Sequence, residues 1–422
     1  MTLCTTPPER TSVTRPLDRV LGARLPDPPD ALRRGPFREG SFPSPLHTER
    51  RASRVGVWLG SGFVVCFLTG LISHWVQQPP SWFVWPASPV WLYRVTQGTH
   101  VMVGLALVPL LLVKLWTVYP KLFSWPPART PAQVVARVSV LVLVGAAVFQ
   151  LLTGLLNISQ WYPFGFSFRA AHYWTGWIAV GAVLTHVGAF APQIARGLAR
   201  RGTAAADGEG DGEEDGEEDG AVSRRAFVAA AVLGTGAVAL TQWGQTISPL
   251  AQVSVLAPRI PGYGPQGLPV NQTGAGAGVT ETAVDPAWRL VVEGPTRLEL
   301  TLADLQAFPQ HTERLPIACV EGWSSDADWT GPRLRDVLDA AGLDRGTVVH
   351  VESLQTGGSY RVSTVAGPHS ASAKTLLALR LNGQELALDH GYPVRLIAPN
   401  RPGAMQTKWL ARIAPGAAGV GS

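Results

Sequence analysis

The chain has 422 residues, enough for two or three domains, and only 15% of them are charged, well below the ~25% of a typical soluble domain. Its net charge of +5 is gathered in particular loops, where membrane topology accounts for it without nucleic acid. Cys4, Cys66 and Cys319 fall in three separate regions, which excludes an internal disulfide framework.

Residues 1–54 are rich in proline and arginine and show neither helical nor strand periodicity, so they read as a flexible arm. Four apolar runs long enough to span a bilayer come next, at about Val55–Val76, Gly98–Tyr119, Val134–Ile158 and His172–Ala191. Trp75, Trp82, Trp85, Trp91, Trp116, Trp125, Trp161 and Trp174 lie at their ends as an aromatic belt. Together, residues 55–191 are predicted to form an all-α four-helix membrane domain. The arm carries ten arginines, and Lys121, Arg129, Arg196, Arg200 and Arg201 flank the same side of the bundle. The other two loops carry Arg94 and Arg169. The positive-inside rule therefore predicts a cytoplasmic N-terminus and a fourth span that ends in the cytoplasm of a cell (inner or plasma) membrane.

Residues 192–222 contain DGEGDGEEDGEEDG at Asp207–Gly220, an acidic glycine-rich tether that cannot build a core. In residues 223–247, Ser223-Arg224-Arg225-Ala226-Phe227-Val228 opens a weaker apolar run, Val228–Leu240. This resembles a twin-arginine export signal. With no convincing cleavage site it reads as an uncleaved fifth span; an ordinary span preceded by cytoplasmic arginines is the alternative. Either way, the C-terminal region from about residue 248 is expected outside the cytoplasm. Residues 248–284 form a Pro/Gly-punctuated lead-in.

In residues 285–416 the composition predicts an α+β, mainly β, domain. Short strands are predicted at Trp288–Val292, Val348–Val351, Tyr360–Thr364, Val394–Ile397 and Lys408–Ile413. Short helices are predicted at Leu302–Ala307, Arg333–Ala341 and Ala373–Leu379.

Four histidines, His74, His100, His172 and His186, lie at or inside spans, where ionisable residues are costly and become functional candidates. His172 and His186 are 14 residues apart, which returns them to one helix face about 21 Å apart. His100 and His172 open the second and fourth spans at similar depth, and facing histidines can clamp a haem iron. The alternative is histidines that merely hydrogen-bond between helices. This region resembles the four-helix di-haem b cytochromes, b561-like and formate dehydrogenase gamma-like, that serve hydrogenases and formate dehydrogenases. The resemblance implies haem b, with His172 paired to His100 and His186 as an inner ligand. It departs at Arg54–Gly56, where the inner partner histidine is missing and His47 is the nearest. His74 is an alternative ligand or lines a quinone site.

Cys319 lies in LPIACVEGWSSDADWTGPRLRDVL, Leu315–Leu338. Alone it reads as a small buried apolar residue, or as a thiolate for a soft metal. Its flanks resemble the cofactor segment of the sulfite-oxidase superfamily, closest to the periplasmic methionine sulfoxide reductase branch with its CVE-x-WS form. There the cysteine binds molybdenum beside one molybdopterin. Leu268-Pro269-Val270-Asn271, WRLVVEG at Trp288–Gly294 and HGYPVRLIAPNRPGAMQTKWLARI at His390–Ile413 extend the resemblance. It implies cofactor contacts at Asn271, Ser353, His390, Arg395, Gly403, Ala404, Met405 and Lys408. Arg395, Arg401 and Lys408 can supply the cationic donors that a phosphate needs. The sulfite-oxidising branch carries extra arginines near the metal; right after Cys319 no clear counterpart is found and Glu321 stands instead, whereas His390 matches that branch.

These features predict a membrane-bound molybdopterin oxidoreductase exchanging electrons with the quinone pool through haem b. The favoured substrates are S- or N-oxides, small or protein-bound, such as methionine sulfoxide. A sulfite-type dehydrogenase is the alternative, and an electron-transfer cytochrome with a partner-binding domain is the non-enzymatic one.

Overall fold

The computed structural model describes residues 20–38, 49–199, 224–243, 245–255, 257 and 259–416. Cys4, His47, the acidic tether at 207–220 and Ser223 of the twin-arginine element lie outside the described residues.

Five long helices come first: α1 (Glu49–Gln77), α2 (Leu92–Leu122), α3 (Pro131–Ile158), α4 (Phe168–Ala199) and α5 (Arg224–Trp243). The first four contain stretches long and apolar enough to cross a membrane, Ala52–Gln77, Leu92–Lys121, Pro131–Ile158 and Phe168–Pro192. Among the described residues, the apolar part of α5 is Ala229–Trp243. The second span begins earlier than its hydropathy predicts, because Leu92–Gln97 is a polar, helical turn rather than a loop.

The chain forms two compact units. One comprises Met1–Gly60, Leu110–Gln150 and Trp174–Val228. Within it Lys114 turns back to α1, where its Nζ donates to Ala52 O at 2.5 Å, and a Cβ on Gly56 would stand 3.1 Å from that Nζ. His186 packs on Phe190, with ring centroids 4.8 Å apart.

The second unit comprises Ser61–Pro109, Leu151–Tyr173 and Ala229–Ser422. Its helical segments pack closely: a Cβ on Gly62 would stand 2.4 Å from Leu107 Cδ2. Its β domain has three sheets. The largest has strand order β2-β1-β11-β5-β6, built from Leu290–Val292 (β1), Leu298–Leu300 (β2), Val349–Ser353 (β5), Val362–Val365 (β6) and Leu410–Pro415 (β11). A second, β3-β4-β8-β9, consists of Gln310–Ala318 (β3), Ser324–Pro332 (β4), Arg380–Leu381 (β8) and Gln384–Glu385 (β9). Leu376–Ala378 (β7) and Arg395–Ile397 (β10) pair antiparallel as the third. Short helices α6 (Leu302–Ala307), α7 (Leu334–Ala340) and α8 (Gly367–Ser370) complete it. Thr301 and Asp304 close α6 with a capping box.

The small sheet is shared by two cores. Leu377 and Leu396 join Leu290, Val292, Leu334, Val337, Val351 and Ile413. Leu376, Ala378 and Ile397 join Leu315, Ile317, Ala327 and Trp329 on the other side. This corrects the helix expected at Ala373–Leu379. A strand buried on both faces has no period-2 alternation and reads like a buried helix. The close approach of β4 to β7 requires Gly331, where a Cβ would lie 2.0 Å from Leu377 O.

Candidate functional site

The β3–β4 hairpin pairs in register from Gln310↔Pro332 to Ala318↔Ser324, leaving residues 319–323 as its turn. The Cys319 amide donates to Trp323 O at 2.8 Å, and the Gly322 amide donates to Cys319 O at 3.1 Å. Gly322 has φ +94°, the left-handed region open to glycine. Cys319 is buried, and its Sγ accepts from Asn271 Nδ2 at 3.1 Å. Burial pushes the thiol pKa up, the nearby Glu321 carboxylate adds to this, and the Asn271 donor opposes both.

Asn271 begins a polar chain. Arg259 Nε donates to Asn271 Oδ1 at 3.1 Å, and Arg259 Nη2 donates to Gln160 Oε1 at 3.2 Å. Gln160 Nε2 in turn donates to Glu321 Oε1 at 2.5 Å, and Trp323 Nε1 donates to Glu321 Oε2 at 3.1 Å. Both oxygens of Glu321 are therefore engaged. Burial raises its pKa while these hydrogen bonds lower it. Arg259 also lines a cavity of about 410 Å³ with Ile260, Tyr263, Pro265, Pro269 and Val270.

A buried basic cluster lies next to this turn. The guanidinium of Arg395 sits 5.3 Å over the Trp329 ring, and its Nη1 donates to His390 O at 3.2 Å. Lys408 Nζ donates to Gln272 O at 2.9 Å and to Asp389 O at 2.6 Å. The Ser353 hydroxyl donates to Lys408 O at 2.8 Å and so sets the backbone of that lysine. Gly391, at φ +113°, lets these strands close: its Cβ would stand 3.1 Å from the Cβ of both Arg395 and Lys408. Burial drives the pKa of Arg395 down to about 9 and that of Lys408 well below the ordinary lysine range. His390 is lowered to about 4, first by burial and then by Arg395. Its Nε2 pairs with Pro265 O at 2.7 Å.

Arg401 is separate from this cluster. Its Nη2 donates to Thr364 O at 2.7 Å and to Ser363 Oγ at 3.3 Å. His369, which carried no sequence signal, is held neutral by burial and by Arg401, at about 3. Gly403–Met405 forms a single 3-10 turn. The loop before it rests on β3, where a Cβ on Gly403 would stand 3.1 Å from Ile317 Cγ2 and Ala318 bridges Pro402. Among the described residues, Arg395 Nε, Arg401 Nη1, His369 Nε2 and His390 Nδ1 are buried without a hydrogen-bond partner.

In the helical part of this unit, the His100 and His172 rings face each other, with centroids 6.2 Å apart. His100 Nδ1 is tied to Cys66 O at 2.9 Å, and His172 Nδ1 to Thr153 Oγ1 at 2.9 Å. With its Nδ1 so engaged, His100 turns its Nε2 towards a further partner. Gly70 and Gly154 border the pair: a Cβ would come within 2.8 Å of His100 Cε1 and 3.6 Å of His172 Cε1, respectively. His74 instead stacks on Tyr173, with centroids 3.8 Å apart. His186 is the only described histidine of the other unit.

Residues 277–417 match the family described as oxidoreductase molybdopterin binding domain. The mitochondrial sulfite oxidase of Rattus norvegicus is 36% identical over 146 residues, 28% of this chain and 27% of that protein. The sulfite oxidase of Gallus gallus is 38% identical over 163 residues, 31% of this chain and 36% of that protein. The chain thus spans about a third or less of the length of these relatives. The sulfane dehydrogenase SoxCD from Paracoccus pantotrophus is similar at 24% identity, with TM-score 0.29 over 32% of this chain and 40% of that one.

The residues fit the cofactor. The buried guanidinium groups of Arg395 and Arg401, each with an N–H donor to spare, call for an anion such as a pterin phosphate. Cys319 with its Asn271 donor suits a thiolate–metal bond, which would deprotonate the thiol outright. Residues 277–417 are thus a molybdopterin-binding oxidoreductase domain, similar to part of the sulfite oxidases, and they mark the chain as an enzyme.

Proposed function

We propose that the chain is a membrane-bound molybdopterin oxidoreductase that reduces S- or N-oxides, such as methionine sulfoxide, with electrons from quinol relayed through a haem b. Cys319 would bind molybdenum. Asn271, Arg395 and Lys408 would contact the cofactor, with Ser353, His390 and the Gly403–Met405 turn in support. His100 and His172 would clamp the haem. Two imidazoles, each about 2 Å from a metal through one nitrogen, set their centroids roughly 6 Å apart, in keeping with the observed 6.2 Å. Gly70 and Gly154 keep side-chain bulk away from the two rings. Bound molybdenum supplies two-electron oxygen-atom transfer, and bound haem supplies one-electron relay. The arginine distribution supports a β domain outside the cytoplasm.

One observation carries the choice of substrate. Glu321 is buried two residues from Cys319 and bears on its thiol electrostatically. A dianionic sulfite beside that carboxylate is disfavoured, whereas a neutral S-oxide is not. In the reaction, the S-oxide takes two electrons and two protons and leaves as sulfide and water. A sulfite-type dehydrogenase is the second reading. It is favoured by Arg259, which is hydrogen-bonded to Asn271, and by the similarity to sulfite oxidases.

The intact protein should contain molybdenum and show a reduced b-type absorption band. Quinol-linked turnover of methionine sulfoxide exceeding turnover of sulfite supports the first reading, and the reverse order supports the second. Protein that contains molybdenum but turns over neither sinks both.

A further inference from the structure

The turn that carries Cys319 is gripped from the helical side at several points. Val320 O accepts from Gln97 Nε2 at 2.5 Å. Gly322 O accepts from Thr246 Oγ1 at 2.7 Å, and the Ser324 amide donates to Gln245 O at 2.7 Å. The turn lies directly against α2, since a Cβ on Gly322 would stand 2.7 Å from Val101 Cβ. Gly98, on α2, is equally close to Thr246, with 2.9 Å from its Cβ position to Thr246 Cγ2. Gln97 and Val101 are i and i+4 on one helix face, and His100 lies in the same turn. Gln97 is buried. The backbone next to the candidate molybdenum ligand thus sits one helical turn from a candidate haem ligand.

We propose that Gln97 is a positioning residue that seats the Cys319 turn over His100, making Cys319–Val320–Gln97–His100 the electron route between the molybdenum and haem sites. The inference rests on the proposal that His100 and His172 hold a haem. Electron transfer between fixed centres weakens steeply across every non-bonded gap. This route is covalent except for one hydrogen bond, from Gln97 to Val320. Each electron crossing it oxidises the haem iron by one and reduces molybdenum by one. Two crossings complete a turnover: quinol supplies both electrons and releases two protons, and the S-oxide takes both with two protons. In the sulfite direction the same route runs in reverse.

The test uses the full-length protein loaded with both groups. Flash-photoreduced deazaflavin reduces the haem, and the decay of reduced-haem absorbance reports transfer to molybdenum without requiring the substrate. Gln97→Met keeps length and apolar packing but removes the donor. Transfer in this variant is expected to slow about tenfold or more, the size of effect seen when a supporting hydrogen bond near a metal site is lost. The haem spectrum and molybdenum content should stay unchanged. Gln97→Lys, which restores an N–H donor, should recover part of the rate. Unchanged transfer in Gln97→Met overturns the route, as does equal slowing in Gln97→Lys. A wild-type protein that contains molybdenum but no b-type band overturns instead the haem reading beneath it.

Discussion

Asn271 Nδ2 donates to Cys319 Sγ across 3.1 Å, joining the extended lead-in to the β3–β4 turn. A single amide thus supports the sulfur electrostatically while being held in turn by Arg259. Asn271→Ala removes that donor and leaves Arg259 without its Asn271 partner. Molybdenum retention or turnover should fall by about 10- to 100-fold. Metal analysis and steady-state assay on the same preparation check this, and Asn271→Gln should fail to restore the wild-type value because its longer side chain displaces the amide.

Arg395 should behave oppositely with and without cofactor. Its folded-state pKa, about 9, lies below the ordinary 12.5, so the unfolded chain holds the proton to higher pH. In cofactor-free protein the stability penalty is present below pH 9 and is relieved as pH rises from there. Arg395→Met should therefore leave cofactor-free protein as stable or more stable, by about 1–4 kcal/mol, while lowering cofactor content. Thermal midpoints at pH 8 with and without cofactor check both signs.

His369 and His390 predict acid sensitivity. Their pKa values, about 3 and about 4, lie below the ordinary 6.5, so the folded domain keeps them neutral where the unfolded chain would protonate them. Stability is full above pH 6.5 and is lost as pH falls towards 4, at up to about 1.4 kcal/mol per pH unit for each histidine. Unfolding midpoints of cofactor-free protein from pH 7.5 to 4.5 should show that slope, and His369→Gln and His390→Gln should each remove part of it. A wild-type midpoint that is flat over this range contradicts the assignment.

Gly70→Val places methyl groups where the His100 ring and its surroundings leave room for no Cβ. It should abolish or strongly reduce the b-type band while leaving molybdenum content unchanged. Thr153→Val removes the hydrogen bond to His172 Nδ1. That change should shift the haem reduction potential rather than eliminate the band, because the supporting partner tunes a ligand it does not replace.

The residues legible in the sequence were those whose chemistry is rare locally and ordered along the chain. Cys319 had no partner cysteine, and Arg395, Gly403 and Lys408 succeed one another within a short segment. The long β3–β4 hairpin was not legible. The first half of β3, Gln310–Arg314, has no apolar residues to alternate, and β4 carries Asp326, Asp328, Gly331 and Pro332, all poor strand formers. Pairing with each other and with β8 overrides those preferences. Gln97, Gln160 and Arg259 left no signal because each is an ordinary polar residue until the fold brings it to the Cys319 turn from a distant segment.

Gln245 and Thr246 come directly after α5, and both bond to the Cys319 turn. The β domain consequently has an effective starting point well before its first strand. A soluble fragment beginning at residue 285 would discard Asn271, Arg259 and both of these tethers. One that keeps Gln245 onward would retain the underside of the turn that holds the cysteine.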